Sequence, residues 1–174
     1  IKKSDHVITC ACDSVWDNAN VAEIDNFNWD KNMNTPHTTA KLLWSEAGVH
    51  VRMVTDETPL LARVIKQNGD VYADSCMEFF IRPNANDERY INFEFNAFGT
   101  NYFSVRYSRD NFELTKWGKK DFNVKSKVND GEWVLMFTMP FSMVDEIFGG
   151  HTDIMYGNLY KCCEDKEPMH FASF

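Results

Sequence analysis

The sequence predicts an all-β protein with one short helix near residues 142–148. Hydrophobic residues make up 44% of the 174 residues but are spread over short alternating segments, which is typical of strands. Clusters of Gly, Pro, Asn and Asp separate these segments. No linker rich in Pro, Gly or Ser divides the chain, so residues 1–174 are predicted to form a single domain.

The first part of the chain predicts one strand followed by an irregular loop. Residues 7–11 are apolar and rich in β-branched side chains, as strands are. Residues 16–29 carry several Asn and Asp, whose side chains hydrogen-bond to nearby backbone groups and favour irregular structure. Three apolar residues of this loop are expected to face inward as anchors: Ile24, Phe27 and Trp29.

Two hairpins are predicted next. Residues 39–44 and 49–56 alternate in polarity and are separated by a Ser-Glu-Ala-Gly run. Residues 60–70 predict a loop or a single helical turn. The second hairpin consists of residues 75–82 and 90–96, in which apolar residues take the odd positions and polar or aromatic residues the even ones. One face of this hairpin is therefore predicted to pack on the core.

The outer face of the second hairpin combines carboxylates, carboxamides and aromatic rings. Because two ionised carboxylates repel each other when they lie directly opposite, we expect Glu78 to pair with Asn92 and not with Glu94. Phe80 then pairs with Tyr90. Such a face is either a ligand platform or an ordinary solvated sheet exterior.

A further strand is predicted at residues 102–107. Sequential strands are usually neighbours in a sheet, so this strand is expected beside residues 90–96. That arrangement would bring Arg106 close to Glu94 or Asn96 on the polar face.

The last third of the chain predicts a strand pair, a central strand and the helix. Residues 112–128 predict a solvated strand pair. An Asp-Gly turn at 130–131 leads into residues 133–140, which are apolar on both faces and end at a proline. This strand is therefore predicted to be buried on two sides. Ser142 is the expected N-cap of the helix.

Charge and hydropathy exclude two classes of partner. The net charge is −8 and no dense basic cluster is present, so nucleic acid and anionic membrane surfaces are not expected partners. No apolar stretch approaches the roughly 20 residues of a membrane-spanning helix. The sequence begins with Ile and not Met, which indicates a processed or truncated start; a signal peptide would already be removed.

The five cysteines do not predict a disulfide framework. Their odd number leaves at least one thiol unpaired in a monomer. Neither the Cys-x-Cys pair nor the adjacent pair has the two-residue spacing of a zinc knuckle, so small buried hydrophobes are favoured over metal ligands. The cysteines are Cys10, Cys12, Cys76, Cys162 and Cys163.

Four sequence blocks, in this order, resemble the carbohydrate-binding module family 9-like domains of the DOMON-like β-sandwich group. They are Asp-Ser-Cys-Met-Glu-Phe-Phe-Ile at 74–81, Tyr-Ile-Asn-Phe-Glu-Phe-Asn at 90–96, Trp133 with Pro-Phe-Ser at 140–142, and Gly-Asn-Leu-Tyr-Lys-Cys at 157–162 with Pro168, His170 and Ser173. The resemblance implies a two-sheet antiparallel β-sandwich of immunoglobulin-like or jelly-roll type, and non-catalytic sugar binding. It also implies a bacterial, exported protein that is periplasmic, cell-surface or extracellular.

The resemblance also implies roles for individual residues. Family members clamp a terminal sugar between two tryptophans, and Glu, Arg and Asn hydrogen-bond its hydroxyls. Glu78 matches the sugar-binding Glu, and Tyr72 stands where the family has a clamping Trp. Arg106 and Asn158 match the Arg and the Asn. The second ring would come from Tyr160, Phe171 or Phe174.

The residues and the resemblance together predict a carbohydrate site. A sugar needs a flat aromatic ring for its apolar face and planar polar groups for its hydroxyls. We expect a carbohydrate ligand, a monomer and no cofactor other than structural calcium, to which Asp74, Asp13, Asp17 and Asp25 could contribute. The predicted ligand-binding residues are Tyr72, Glu78, Asn92, Glu94, Asn96, Arg106, Asn158 and Tyr160.

Two other functions are open at this point. Glu78 and Glu94 could form the acid/base pair of a glycoside-processing enzyme. Related sandwich domains bind haem through axial Met, His or Lys, for which His50 and the Met169-His170 pair are the candidates.

Overall fold

The computed structural model describes residues 1–6, 8–29 and 35–174. Its α-helix, α1, spans Phe141–Phe148, and 3-10 turns lie at Ser14–Asn18 and Val71–Ala73. The strands are β1 (Lys2–Lys3), β2 (Val21–Glu23), β3 (Thr38–Ser45), β4 (Gly48–Thr55), β5 (Cys76–Arg82), β6 (Tyr90–Asn96), β7 (Asn101–Arg106), β8 (Phe112–Leu114), β9 (Lys125–Asn129), β10 (Glu132–Pro140), β11 (Tyr156–Cys163) and β12 (His170–Ser173).

These strands form two sheets. The first sheet has the order β1-β3-β4-β10-β9, and β2 also pairs with β3. The second has the order β12-β11-β5-β6-β7-β8. The strands pair antiparallel except for β1 and β3, which run parallel. The predicted two-sheet antiparallel β-sandwich is confirmed, as are both hairpins.

The core lies between the sheets and is dominated by aromatic rings. The odd residues of β5 and β6 contribute to it, as the alternation predicted. Phe93 is fully buried, and its ring centroid lies 4.8 Å from Phe103, 5.1 Å from Phe122 and 5.3 Å from Phe137. Because Phe137 belongs to the first sheet and Phe93 to the second, these contacts join the two layers.

The central strand β10 is buried on both faces, as predicted. Its odd residues face the main core. On the other face, Met136 packs with Ile8, Trp16 and Leu43 in a second, smaller cluster. The N-terminal segment therefore covers the outside of the first sheet.

A buried ion pair lies at one end of the interior. The Lys161 Nζ atom is 2.7 Å from Glu57 Oε2, and neither side chain is exposed. Burial opposes ionisation of Glu57, but the charge and hydrogen bond of Lys161 outweigh it and lower the pKa of Glu57. His170 Nε2 lies 3.2 Å from the same Nζ. Burial, followed by the Lys161 charge, lowers the pKa of His170 to about 4.

The N-terminal predictions were partly wrong. Residues 8–11 are not a strand, and Val7 lies outside the described residues. A disulfide joins Cys10 to Cys12, and the Asp13 carboxylate accepts the backbone N–H of Cys10, so the chain turns here. Trp29 was predicted to face inward, but it is 58% exposed.

Two predictions for the later elements were also wrong. Residues 112–128 do not pair with each other: β8 joins β7 in the second sheet, and β9 joins β10 in the first. The α1 helix begins at Phe141, one residue before the expected cap Ser142. Its N-cap is Pro140, which has the extended backbone that a cap requires but no side-chain acceptor. Within the described part of the chain, no helix is long and apolar enough to cross a membrane.

Candidate functional site

The candidate site lies on the face of the second sheet that points away from the core. The even residues of β5, β6 and β11 lie here. Glu78 is directly opposite Glu94, and Phe80 is opposite Asn92. The predicted register, with Glu78 opposite Asn92 and Phe80 opposite Tyr90, was wrong; the Phe80 and Tyr90 rings still lie 6.1 Å apart on the diagonal.

The electrostatic argument for the predicted register failed because these carboxyl groups are buried. Glu78 is 9% exposed and Glu94 is 6% exposed. Burial raises the pKa of both groups, and burial together with the negative charge of Glu78 raises the pKa of Glu94 to about 8. At neutral pH the pair therefore holds a proton, and two ionised carboxylates do not face each other.

The polar side chains on this face, which we call the polar floor, are only partly satisfied by hydrogen bonds. Asn92 Nδ2 donates to Glu94 Oε1 at 2.7 Å, and Cys162 Sγ donates to Glu78 Oε1 at 2.9 Å. The buried atoms on this face that have no partner among the described protein groups include Glu94 Oε2, Asn92 Oδ1 and Ser104 Oγ. Buried polar groups are nearly always paired, so these atoms indicate a place where a polar ligand or water completes the network.

Aromatic side chains stand around the floor. Tyr72 lies on the 3-10 turn Val71–Ala73. Its backbone carbonyl oxygen is 3.6 Å from Cys162 Sγ on β11. Tyr160 is directly opposite Glu78 on β11, and its ring lies 5.0 Å from that of Phe80. Asn158 Nδ2 donates to the Tyr160 hydroxyl at 3.3 Å. Besides the Glu pair, four of the other six predicted residues are thus assembled here: Tyr72, Asn92, Asn158 and Tyr160.

Trp29 is the residue that the sequence interpretation missed. The Asn26 backbone pairs with Ser173 of β12, which fixes the loop beside the second sheet. The exposed Trp29 ring then lies 6.5 Å from Tyr160 and 6.2 Å from Phe171. An apolar indole within a polar, Asn-rich loop was the signal that could have identified it, because such a ring often contacts a ligand.

Asn96 and Arg106 do not join the site in the predicted way. Asn96 Nδ2 donates to the Val64 carbonyl and to Asp74 Oδ2, so this side chain secures the preceding loop. Arg106 is opposite Tyr90 at the other end of β6. Its guanidinium donates to the Arg109 carbonyl and not to Glu94 or Asn96. Its positive charge acts to lower the pKa of Glu94, but burial outweighs it and the pKa is raised.

A groove continues the site along the sheet. Its volume is about 460 Å³, and Arg82 borders it with its guanidinium 4.8 Å from the Tyr156 ring. It shares Phe80 and Asn158 with the site described above. Its lining consists of Phe80, Ile81, Arg82, Glu88, Tyr90, Tyr156, Gly157 and Asn158.

Neither histidine candidate is placed to bind haem iron. His50 is buried, and its two ring nitrogens are hydrogen-bonded to Ser45 Oγ and Thr138 Oγ1. His170 contacts Lys161 and borders a cavity of about 360 Å³, whereas the neighbouring Met169 is exposed. An axial ligand needs a free nitrogen or sulfur that points into a haem-sized pocket.

The four aspartates considered for calcium do not come together in the described structure. Asp74 is fully buried, and its carboxylate accepts the backbone N–H groups of Arg63 and Val64. Asp13 lies beside the disulfide, and Asp17 and Asp25 are exposed. These residues do not fit a calcium site, and structural calcium stays a prediction from the resemblance.

Comparisons with known proteins give a family match and similar solved folds. The profile of carbohydrate-binding family 9 matches residues 11–174. A crystal structure of a candidate carbohydrate-binding protein from Bacteroides uniformis ATCC 8492 is 24% identical, has a TM-score of 0.79, and aligns over 99% of this chain and 87% of its own.

Two further similar structures contain sugars. They are of a family 9 carbohydrate-binding module from Caldicellulosiruptor kristjanssonii, in complex with glucose and with cellotriose, and each is 13% identical to this chain. The glucose complex has a TM-score of 0.69 and aligns over 99% of this chain and 83% of its own. The cellotriose complex has a TM-score of 0.67 and aligns over 99% of this chain and 81% of its own. No curated protein sequence matches significantly.

Proposed function

Since this chain belongs to carbohydrate-binding family 9, we propose that it binds a carbohydrate, without catalysis, on the outer face of the second sheet around Glu78 and Glu94. The observation that carries the proposal is the partly unsatisfied polar floor flanked by the exposed Trp29 ring and by half-buried tyrosine rings. A pyranose presents the complementary surfaces: hydroxyls at its rim and C–H groups on its faces.

The floor supplies the hydrogen bonds. Carboxyl and carboxamide groups are planar, so each can pair with two neighbouring hydroxyls of a sugar. Glu78, Glu94, Asn92 and Asn158 provide four such groups on adjacent strands. Their burial makes the recognition selective, because a ligand that leaves Glu94 Oε2 or Asn92 Oδ1 unpaired gains nothing for displacing water there.

The aromatic rings supply the stacking surfaces. Tyr72 replaces one tryptophan of the family clamp, and its smaller ring covers less of a sugar. We propose that Trp29, held beside Tyr160 and Phe171, provides the larger ring on the other side. The adjoining groove, bordered by Tyr156, offers room for a second sugar unit, so an oligosaccharide should bind more tightly than a monosaccharide.

The arrangement favours binding over hydrolysis. Glycosidases hold two carboxyl groups about 5 to 9.5 Å apart on opposite sides of the scissile bond. Glu78 and Glu94 are instead direct cross-strand neighbours on one flat face. A sugar lying on this face meets both groups from the same side, so they cannot supply an acid and a nucleophile across a glycosidic bond.

We also propose that the protein acts outside the cytoplasm, as a monomer. The Cys10–Cys12 disulfide supports the location, because disulfides persist in oxidising compartments. The other cysteines are buried and are not available for pairing between chains: Cys76, Cys162 and Cys163.

Isothermal titration calorimetry tests the proposal. Glucose, cellotriose and a panel of other mono- and oligosaccharides are titrated into the wild-type protein, Tyr72→Ala, Trp29→Ala and a control, Tyr107→Ala, whose exposed ring lies elsewhere. Loss of a stacking ring should weaken binding at least tenfold, or about 1.4 kcal/mol, and the control should bind like the wild type. Failure of every sugar to bind, or unchanged affinity in both site variants, would refute the proposal.

A further inference from the structure

Two thiols and a carboxyl group meet beneath the proposed sugar site. Cys76 on β5 is directly opposite Cys162 on β11, and Glu78 follows Cys76 on the same face of its strand. The two Sγ atoms and a Glu78 carboxylate oxygen all lie within 4.8 Å of one another. All three residues are buried, at 0%, 5% and 9% exposed for Cys76, Cys162 and Glu78.

We infer that Cys76, Cys162 and Glu78 form a binding site for a thiophilic divalent cation, of which Zn²⁺ is the best match. Zinc takes thiolate sulfur at about 2.3 Å and carboxylate oxygen at about 2.0–2.2 Å in a tetrahedral arrangement, which places its ligand atoms roughly 3.3–3.8 Å apart. The three ligand atoms need only small side-chain movements to reach these separations, since Cys162 Sγ is already 2.9 Å from Glu78 Oε1.

An unpartnered carboxylate oxygen next to the cluster supports the same inference. Glu94 is 6% exposed and is directly opposite Glu78, yet its Oε2 atom has no partner among the described groups. Three protein ligands leave one position of a tetrahedral zinc ion free. When no sugar occupies the site, Glu94 can fill that position directly or through a water molecule.

The ligand types select the metal. Calcium and magnesium require oxygen ligands, and a site with two sulfurs is a poor match for either. Thiolates favour zinc and other soft ions. On binding, the two thiol protons and any proton on Glu78 are released to solvent, and two thiolates and one carboxylate face the dication. No change in oxidation state is involved.

Cobalt substitution tests the site directly. Co²⁺ bound by thiolates gives an intense sulfur-to-metal charge-transfer band, which protein without thiolate ligands does not give. For this test Cys10 and Cys12 are both replaced by Ser (Cys10→Ser and Cys12→Ser). A reducing agent can then keep the remaining thiols reduced without opening the disulfide and creating a second thiol pair. No sugar is present, so the outcome does not depend on the proposed function.

We expect one Co²⁺ per protein, its displacement by Zn²⁺, and loss of the band in Cys76→Ser and in Cys162→Ser. The matched control is Cys163→Ser: this thiol is adjacent to Cys162 and equally buried but lies on the opposite face of β11, and it should keep the band. Circular dichroism checks that each variant is folded. As a second measurement on protein with the three ligands intact, Zn²⁺ should raise the unfolding temperature and Ca²⁺ should not.

Several results would overturn the inference. One is the absence of the band from folded, fully reduced protein in which Cys76 and Cys162 are intact. A band that persists in the Cys76→Ser/Cys162→Ser double variant, or that disappears only in Cys163→Ser, would place the metal elsewhere. A Cys76–Cys162 disulfide that resists reduction in the folded protein would show that the pair is structural.

Discussion

His170 should make this protein sensitive to mild acid. Its pKa in the folded state is about 4, against an ordinary value of 6.5, because it is buried beside Lys161. Between these two values the unfolded chain binds a proton that the folded protein does not. The free energy of unfolding should therefore be unaffected by this group above about pH 6.5 and fall as the pH is lowered towards 4. A shift of about 2.5 pKa units corresponds to about 3 kcal/mol.

The assay is urea unfolding at several pH values between about 7 and 4, followed by tryptophan fluorescence. His170→Gln retains an oxygen that accepts from Lys161 but cannot be protonated, so its stability should fall less than that of the wild type as the pH is lowered. The other groups with shifted pKa values in this range, Glu78, Glu94 and His50, titrate in both proteins and cancel in the comparison. His37→Gln is the control, since His37 borders the same cavity but is exposed. Glu57 acts in a separate window, because a lowered carboxyl pKa matters only below about pH 4.5. An unchanged acid response in His170→Gln, or its loss in His37→Gln, would refute the reasoning.

Four further variants test the packing and polar contacts that support the site, each by urea unfolding. Lys161→Met leaves Glu57 buried beside only one remaining cation and should cost about 3–5 kcal/mol, whereas Lys166→Met, which removes the more exposed partner of Glu57, should cost less than about 1 kcal/mol. Asp74→Ala removes the acceptor of two backbone N–H groups and should cost about 3 kcal/mol, with faster amide exchange at residues 63 and 64. Phe93→Ala removes a ring that joins the two sheets and should cost about 3–5 kcal/mol. Equal losses in the two lysine variants, or losses under about 1 kcal/mol in the other two, would contradict these assignments.

The alternation of apolar residues was enough to predict most of the strands and which face of each is buried, whereas the sandwich was predicted from the family resemblance. Side chains of a strand alternate between its two faces, so Phe79, Ile91 and Phe93, which all stand at odd positions of β5 and β6, point to the same side of the sheet and pack in the core. The two-sided burial of β10 followed from the same pattern. The family blocks correctly identified carbohydrate-binding family 9.

The local polar structure could not be predicted in the same way. The register argument treated Glu78 and Glu94 as exposed anions, but the neighbouring aromatic rings and the 3-10 turn with Tyr72 bury them, and burial changes their protonation. That burial depends on contacts between segments far apart in sequence. The position of Trp29 depends likewise on the pairing of Asn26 with the C-terminal strand, which no local pattern encodes.

The partners of the charged residues could not be predicted from local sequence either. Lys161 lies on an otherwise apolar face of β11, and its partner Glu57 comes from a loop more than 100 residues earlier in the chain. Arg106 was assigned to Glu94 or Asn96 on strand order alone, but the antiparallel register places it opposite Tyr90 instead. Strand order can be inferred from sequence more readily than register, because a shift of two residues preserves the apolar face.

Mapping the bound sugar by nuclear magnetic resonance tests the central claim most directly. Amide and indole N–H signals are followed while the tightest-binding sugar of the calorimetric panel is added. The account predicts that the largest shifts occur in β5, β6 and β11 and at the indole N–H of Trp29. Shifts concentrated in β4 and β10 of the first sheet, or around the cavity beside His170, would contradict it.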